Sequence, residues 1–314
     1  MSQTAIFSGS AHPELAKDIC DQLGVPLLPA TFRRFANDCL EVQLEANCRE
    51  RDVFIIQPIV APAQEHLFEL FLMINAARGA SAARITAVIP HFAYARSDKK
   101  DRPRISLGGR LVADLLVTAG ANRVLTTTLH SPQVYGFFSV PVDHLHALHE
   151  LARHFRQYDL SNTVVVSPDL GNAKEAAAFA RMLGTGVAAA AKQRFSDDKV
   201  SISTIIGDVA GKDIIVLDDE IAKGSTVVEL IHHLKLHHVR SIRVACTHGL
   251  FADGAVQRIG AFDDVQEIVC TNTAPVAAAI RSDKLKVLSV APALAEAIRR
   301  IHNGESVSAL FEGV

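Results

Sequence analysis

The chain has 314 residues, enough for two α/β domains of ordinary size, and a formal net charge of −2 with a pI near 6.7, which excludes a general nucleic-acid or membrane-surface binder. Five cysteines without a C-x-x-C pair read as reduced thiols of a cytosolic protein; no apolar run reaches the roughly 18 residues of a membrane span, and Met1–Ser10 lacks the basic-then-apolar order of a signal peptide. A hydrophobic content of 49% with 6% aromatic residues and no Trp predicts cores packed with Val, Ile, Leu and Ala.

Ala5-Ile6-Phe7-Ser8-Gly9 reads as a short strand with a Gly turn, and Pro13 to Leu23 has helical spacing after a His-Pro start. Strand-like runs follow at Glu41–Leu44, Asp52–Gln57, Arg84–Val88 and Arg123–Thr127, with helical patterns at Gln64–Arg78 and Leu107–Ala119. The rhythm then repeats, with strands at Thr163–Val166, Val187–Ala190, Ile214–Leu217, Ser241–Cys246 and Val265–Val269 and helices at Asn172–Leu183, Thr226–His238 and Asp253–Ile259. Such alternation predicts an α/β protein of two similar, doubly wound, mostly parallel-sheet domains, residues 1–145 and 146–288, joined near His144–Glu150. A last strand and helix within Leu288–Ile301 would carry residues 289–314 back onto the first domain.

Ile214-Ile215-Val216-Leu217 is a buried-strand pattern that ends in Asp218-Asp219, followed by a short loop in which Gly224, Ser225 and Thr226 open an amphipathic helix. Unpaired amides at a helix N-terminus carry partial positive charge, so a phosphate satisfies them, and glycine lets the backbone approach closely. The two carboxylates cannot bind phosphate themselves and must face hydroxyl groups or a hydrated metal. A ribose 5-phosphate meets both demands; an ordinary strand-to-helix turn capped by its Asp pair fits the same residues. The stretch also resembles the ribose-phosphate loop of phosphoribosyltransferases and their relatives, with Ala222 and Lys223 departing from the usual acidic or small residue and hydroxyl residue.

Tyr94 to Arg104 holds five cations and two carboxylates with almost no apolar residues, so it must be a loop, either a solvated one or a clamp for a polyphosphate. Beyond it, His130 follows a buried strand at the carboxyl edge of a sheet, where open α/β folds bind ligands. Thr128-Leu129-His130-Ser131-Pro132-Gln133-Val134-Tyr135-Gly136-Phe137-Phe138-Ser139-Val140-Pro141-Val142-Asp143 resembles the signature of ribose-phosphate diphosphokinases, keeping His130, Gln133, Gly136, Phe137, Phe138, Pro141 and Asp143 and replacing the leading acid by Thr128. The resemblance extends to Phe7-Ser8-Gly9, Tyr94 to Lys100, Ser167-Pro168-Asp169, Lys192-Gln193-Arg194, Ile206 to Val209 and Ala295 to Ile301, in the family's order.

The resemblance implies an enzyme of nucleotide biosynthesis that moves the diphosphoryl group of ATP to the anomeric hydroxyl of ribose 5-phosphate. It implies Phe35, Asn37, Arg96, Ser97, Asp98 and Lys99 as nucleotide-binding, and Asp218, Asp219, Ala222, Lys223, Gly224, Ser225 and Thr226 as ribose-phosphate-binding. Mg²⁺ would be the cofactor, with His130 and Asp169 as its partners, and Lys192 and Arg194 with His130 would be catalytic. It further implies a cytoplasmic, dimer-based hexamer with the nucleotide site shared between subunits. Asn37 and Cys39 stand where the family carries two acids, Thr128 where it carries another, and Ala222 where an acidic or small residue is usual; these departures motivate a second reading, a non-catalytic regulatory paralogue that associates with active subunits. A phosphoribosyltransferase is a third, which leaves the two-domain length and Lys192 with Arg194 unexplained. His232, His233, His237 and His238 have i, i+4 spacing that could bind a metal, but a solvent-facing helix explains them better.

Overall fold

The computed structural model describes residues 4–194 and 200–310, the side chains at 192–194, 200, 201 and 309 excepted. The chain forms two compact units, one of the residues as far as Leu145 together with those from Val290, the other spanning His146–Ser289.

In the first unit, β1 (Thr4–Ser8) leads to α1 (Pro13–Leu23), then to an antiparallel ribbon of β2 (Ala30–Arg34) and β3 (Leu40–Leu44). It continues with β4 (Asp52–Ile56), α2 (Ala63–Gly79), β5 (Arg84–Ile89), α3 (Gly108–Ala119), β6 (Arg123–Thr127) and β7 (Val142–Leu145). The sheet runs β1-β4-β5-β6-β7, parallel throughout, so every strand ends at the same edge. Near-continuous apolar strands such as Val53-Phe54-Ile55-Ile56 fit a sheet covered on both faces. One face packs Ala5, Phe7, Val53 and Ile55 against Leu70, Met73 and Ile74 of α2 and Val112 and Leu116 of α3.

The second unit opens with α4 (Leu148–Phe155), β8 (Thr163–Ser167), α5 (Ala173–Leu183), β9 (Gly186–Arg194) and β10 (Val200–Ile206). It continues with β11 (Asp213–Ile221), α6 (Ser225–Leu236), β12 (Ser241–Gly249), α7 (Ala255–Gly260), β13 (Val265–Thr271) and β14 (Leu285–Leu288). Its strand order, β10-β9-β8-β11-β12-β13-β14, reverses between β8 and β11, and only β10 is antiparallel. Such a reversal opens a crevice beyond the carboxyl ends of the two strands, the usual ligand position in open α/β sheets. The chain then returns to the first unit as α8 (Ala291–Asn303), packed on α1. Arg84 donates to Asp52 at 2.9 Å and to the Ile301 carbonyl at 2.8 Å, and the His302 ring lies 2.9 Å from Asp52, so one ion pair at the start of β4 and β5 anchors the end of α8.

Several elements depart from the periodicity reading. β2 is half-buried at best, so it carries no apolar run; β7, β10 and β14 are edge strands with weak patterning; and α4 occupies the stretch read as a domain join, with Leu148, Leu151, Ala152 and Phe155 buried on one face. The strand placed at Leu288 ends there instead. Two differences bear on chemistry. β11 continues through Asp218, Asp219 and Glu220 to Ile221, so the acid pair lies inside a strand rather than after it. Lys192 and Arg194 lie in β9, which runs past the Val187–Ala190 strand read from the sequence, their backbones paired with Ile202 and Val200 of β10; their side chains lie outside the described residues.

Candidate functional site

At the reversal in the second sheet, β8 and β11 run side by side with Val166 opposite Val216, so the residues that follow each strand share one edge. Asp169 lies two residues beyond the end of β8, and Asp218 with Asp219 lie in β11. Asn172 ties them: its amide donates to Asp169 Oδ1 at 3.0 Å, and its side-chain nitrogen donates to the Leu217 carbonyl at 3.1 Å. The environments of the acid pair differ: Asp219 is buried, whereas Asp218 is half-buried and accepts the Asp219 amide on Oδ1 at 3.0 Å.

The loop from Ala222 to Gly224 turns β11 into α6. Gly224 is the N-cap at φ +74°, a conformation side-chain-bearing residues rarely adopt, and a Cβ there would lie 3.1 Å from Ile259 and 3.3 Å from Ala255. The N-cap, a glycine, has no side chain to cap α6, and among the described residues none does, which leaves its first-turn amides for a ligand. The three preceding carbonyls, Ile221 to Lys223, are each hydrogen-bonded elsewhere. Leu250 and Phe251 amides donate to Ile221 at 3.0 and 3.1 Å, the Ala252 amide donates to Ala222 at 3.0 Å, and the Arg258 guanidinium donates to the Lys223 carbonyl. A carbonyl facing a phosphate would repel it; here donors from residues 250–258 absorb three in a row. Lys223 is exposed, with its ammonium 3.8 Å from Asp253.

In the first sheet the corresponding edge carries the cationic segment after β5 and the His130 loop after β6. Ala93–Arg96 is a single 3-10 turn, and the rest of the segment is a loop closed by Ser97. The Ser97 hydroxyl accepts the Gly108 amide at 2.8 Å, and its carbonyl accepts the Gly109 amide at 2.9 Å, which fastens the loop to the start of α3. Arg96, Lys99 and Lys100 are exposed. Asp98 is clasped instead: Ser131 Oγ at 2.6 Å and Gln133 Nε2 at 2.9 Å both donate to its Oδ2. His130 is exposed and its neighbours are held, with the Thr128 amide donating to the Leu145 carbonyl and the Leu129 amide to His144 Nε2, both at 2.8 Å. Because Nε2 accepts, His144 is neutral with its proton on Nδ1. Thr128 sits at φ +41°, a strained region for a β-branched residue.

The opening turn is braced from beneath. Buried Glu69 accepts the Ser10 amide at 2.6 Å, the Ser10 hydroxyl at 2.8 Å and the Gln57 side chain at 2.7 Å, and a Cβ on Gly9 would lie 2.3 Å from Gln57 Oε1. Phe35, 52% exposed, and Asn37 stand at the tip of the β2–β3 ribbon, where Asn37 accepts the Cys39 amide at 3.2 Å and Arg34 bridges to Asp38 at 2.7 Å and Glu65 at 2.5 Å.

A family model described as the N-terminal domain of ribose phosphate pyrophosphokinase matches residues 4–120, and one described as the phosphoribosyl synthetase-associated domain matches residues 193–312. A Streptomyces coelicolor protein named "Putative ribose-phosphate pyrophosphokinase" is 74% identical over 312 residues, 99% of this chain and 98% of that protein. The ribose-phosphate pyrophosphokinase of Deinococcus radiodurans is 49% identical over 314 residues, again covering 99% and 98%. The chain belongs to the ribose-phosphate pyrophosphokinase family. The crystal structure of phosphoribosylpyrophosphate synthetase from Mycobacterium smegmatis superposes with a TM-score of 0.90 at 38% identity, covering 96% of this chain and 99% of that one, so the family's two-domain α/β architecture is this chain's architecture.

Within that family frame, Asp169, Asp218 and Asp219 share one sheet edge with the Ala222–Thr226 loop, and Arg96, Ser97, Asp98, Lys99 and His130 share another. His130 and Asp169 fall in different units. Among the described residues no group of three His, Cys, Asp or Glu side chains is placed to hold a metal, and the helical histidines are otherwise engaged: His232 lies edge-on to Phe262, 4.9 Å between centroids, and His233 is 3.5 Å from Glu229. The roles of Asn172, Ser131 and Arg258 are contacts with residues 33 to 45 positions away, which no local motif specifies.

Proposed function

We propose that the chain transfers the β,γ-diphosphoryl group of ATP to the anomeric hydroxyl of ribose 5-phosphate, giving phosphoribosyl diphosphate and AMP. The sugar oxygen bonds to the β-phosphorus, the bond from that phosphorus to the α,β-bridging oxygen breaks, AMP leaves with that oxygen, and the hydroxyl proton is released. Such a reaction needs alignment and neutralised charge more than covalent help.

The observation that carries the reading is the strand reversal where an acid pair meets a loop whose carbonyls from Ile221 to Lys223 are hydrogen-bonded elsewhere. Asp218 and Asp219 there take the ribose hydroxyls, and the backbone from Ala222 to Thr226 with Lys223 takes the 5-phosphate. On the nucleotide side, Arg96 and Lys99 meet the phosphates, Phe35 stacks on the base, and Asn37, in place of an acid, relaxes base recognition. Ser97 and Asp98 serve the same segment. Lys192 and Arg194 offset charge on the departing and transferring groups and exclude water as a competing acceptor.

The residues proposed to hold Mg²⁺ are Asp169, whose carboxylate oxygen is the hard donor the ion prefers, and His130, by way of a bound water; the ion commonly takes most of its ligands from water and substrate phosphates rather than from an all-protein cage. When bound, it neutralises phosphate oxygens. A cytoplasmic homo-oligomer, a hexamer built from dimers with the nucleotide site shared between subunits, completes the proposal; the exposed Phe35 at the ribbon tip supports a shared site. Among the described residues no helix is long and apolar enough to cross a membrane. Nothing observed favours the regulatory reading.

Purified chain with Mg²⁺ and ATP is expected to form AMP only when ribose 5-phosphate is present. No ribose-dependent AMP with ATP, GTP or CTP would overturn the assignment.

A further inference from the structure

We infer that Asp98 is a positioning residue that locks the nucleotide-side cations to the His130 loop, an inference that rests on the function proposed above. Its carboxylate lies in a run of five cations, and free it would be expected to fold onto one of them. Instead, Oδ2 accepts Ser131 Oγ at 2.6 Å and Gln133 Nε2 at 2.9 Å, two side chains from the far loop, 33 and 35 residues on. Ser97, immediately before it, fastens the same segment to α3. The cationic loop is thereby tied on one side to a helix and on the other to the residues that follow His130.

The geometry has a mechanical consequence. Arg96 and Lys99 flank the two tie points, Ser97 and Asp98, and are themselves exposed, so the bridge holds the backbone that carries them to the His130 loop. A loop with five cations against two carboxylates carries a net positive charge and repels itself. Without the bridge it would sample open arrangements in which the cations and His130 are no longer presented together. Asp98 acts through these neighbours, so the cost of losing it should fall on the nucleotide half of the reaction and leave ribose 5-phosphate binding alone.

A double-mutant cycle tests this, reading Kd for a non-hydrolysable ATP analogue by calorimetry and, in parallel, AMP formation. Asp98→Ala is expected to weaken analogue binding and lower kcat/KM for ATP about tenfold, with KM for ribose 5-phosphate unchanged. Asp98→Asn, whose amide oxygen still accepts both bonds, should recover most of that. In a Ser131→Ala/Gln133→Ala background, which removes both donors without touching Asp98, the same Asp98→Ala step should cost less than about threefold. A full tenfold cost in that background would make Asp98 a direct ligand of nucleotide or metal and overturn the inference, as would an Asp98→Ala protein indistinguishable from wild type. Wild type that binds the analogue yet makes no ribose-dependent AMP would overturn the functional reading instead, while the binding arm of the cycle still decides the bridge.

Discussion

The loop after β11 is fixed through its main chain: three consecutive carbonyls, Ile221 to Lys223, are taken by donors from residues 250–258, and Gly224 packs against α7. The segment after β5 is fixed through side chains, Ser97 to the start of α3 and Asp98 to Ser131 and Gln133. The sheets beneath them differ too, the first running in one direction from β1 to β7 and the second reversing between β8 and β11. A loop at a reversal has a strand on either side to build a crevice, and backbone bonds suffice to aim its amides. A loop on a one-way sheet lacks that crevice and must be tied to its neighbour by particular side chains. The phosphate loop should therefore tolerate most side-chain changes and fail at few positions, whereas the cationic loop should be sensitive at each tie.

The largest expected effect lies in neither loop. Lys192→Ala should lower kcat about 10² to 10³-fold with KM for ribose 5-phosphate nearly unchanged, checked by steady-state AMP formation; a mild effect would show that the two loops suffice for the chemistry. Gly224→Val comes next. A β-branched residue at φ +74°, against Ile259 and Ala255, costs roughly 1–2 kcal/mol in backbone strain alone and should raise KM for ribose 5-phosphate more than about tenfold while sparing that for ATP. Arg258→Ala removes the single side chain among the four donors to these three carbonyls, so a rise of only a few-fold in the same KM is expected, and an effect as large as that of Gly224→Val would show that the main chain does not hold the loop by itself.

The smallest effect separates frame from site. Asp213, at the opposite end of β11, accepts Arg240 Nε at 2.8 Å and Ser241 Oγ at 2.6 Å, and the Arg240 guanidinium holds its carboxyl below the usual carboxylate range. Because Arg240 is largely exposed, Asp213→Asn should lower stability by only about 1 kcal/mol and leave both KM values alone. A depressed carboxyl pKa contributes stability that is whole above the unfolded value, about 3.9, and is lost as pH falls from there toward the folded one. The difference in Tm between wild type and variant should thus hold steady from pH 7 to about 5 and shrink below about 4.

Much of this molecule was present in the amino-acid order alone. Apolar runs such as Val53-Phe54-Ile55-Ile56 and Ile214-Ile215-Val216-Leu217 are local, so periodicity finds the central strands, and β6 lies where its apolar run predicts. The motifs around Asp218, His130 and the cationic run are local as well and are recognisable at their own positions. Tertiary structure alone decided the rest: the reversal at β8 and β11, the extension of β11 through the acid pair, the carbonyls engaged by Arg258 and its neighbours, and the two donors that claim Asp98. Each of these is a pairing between residues tens of positions apart, or a choice of strand neighbour. Such pairings are set by which surfaces pack together and which buried polar groups then need partners, a condition on the whole fold that no window of sequence contains.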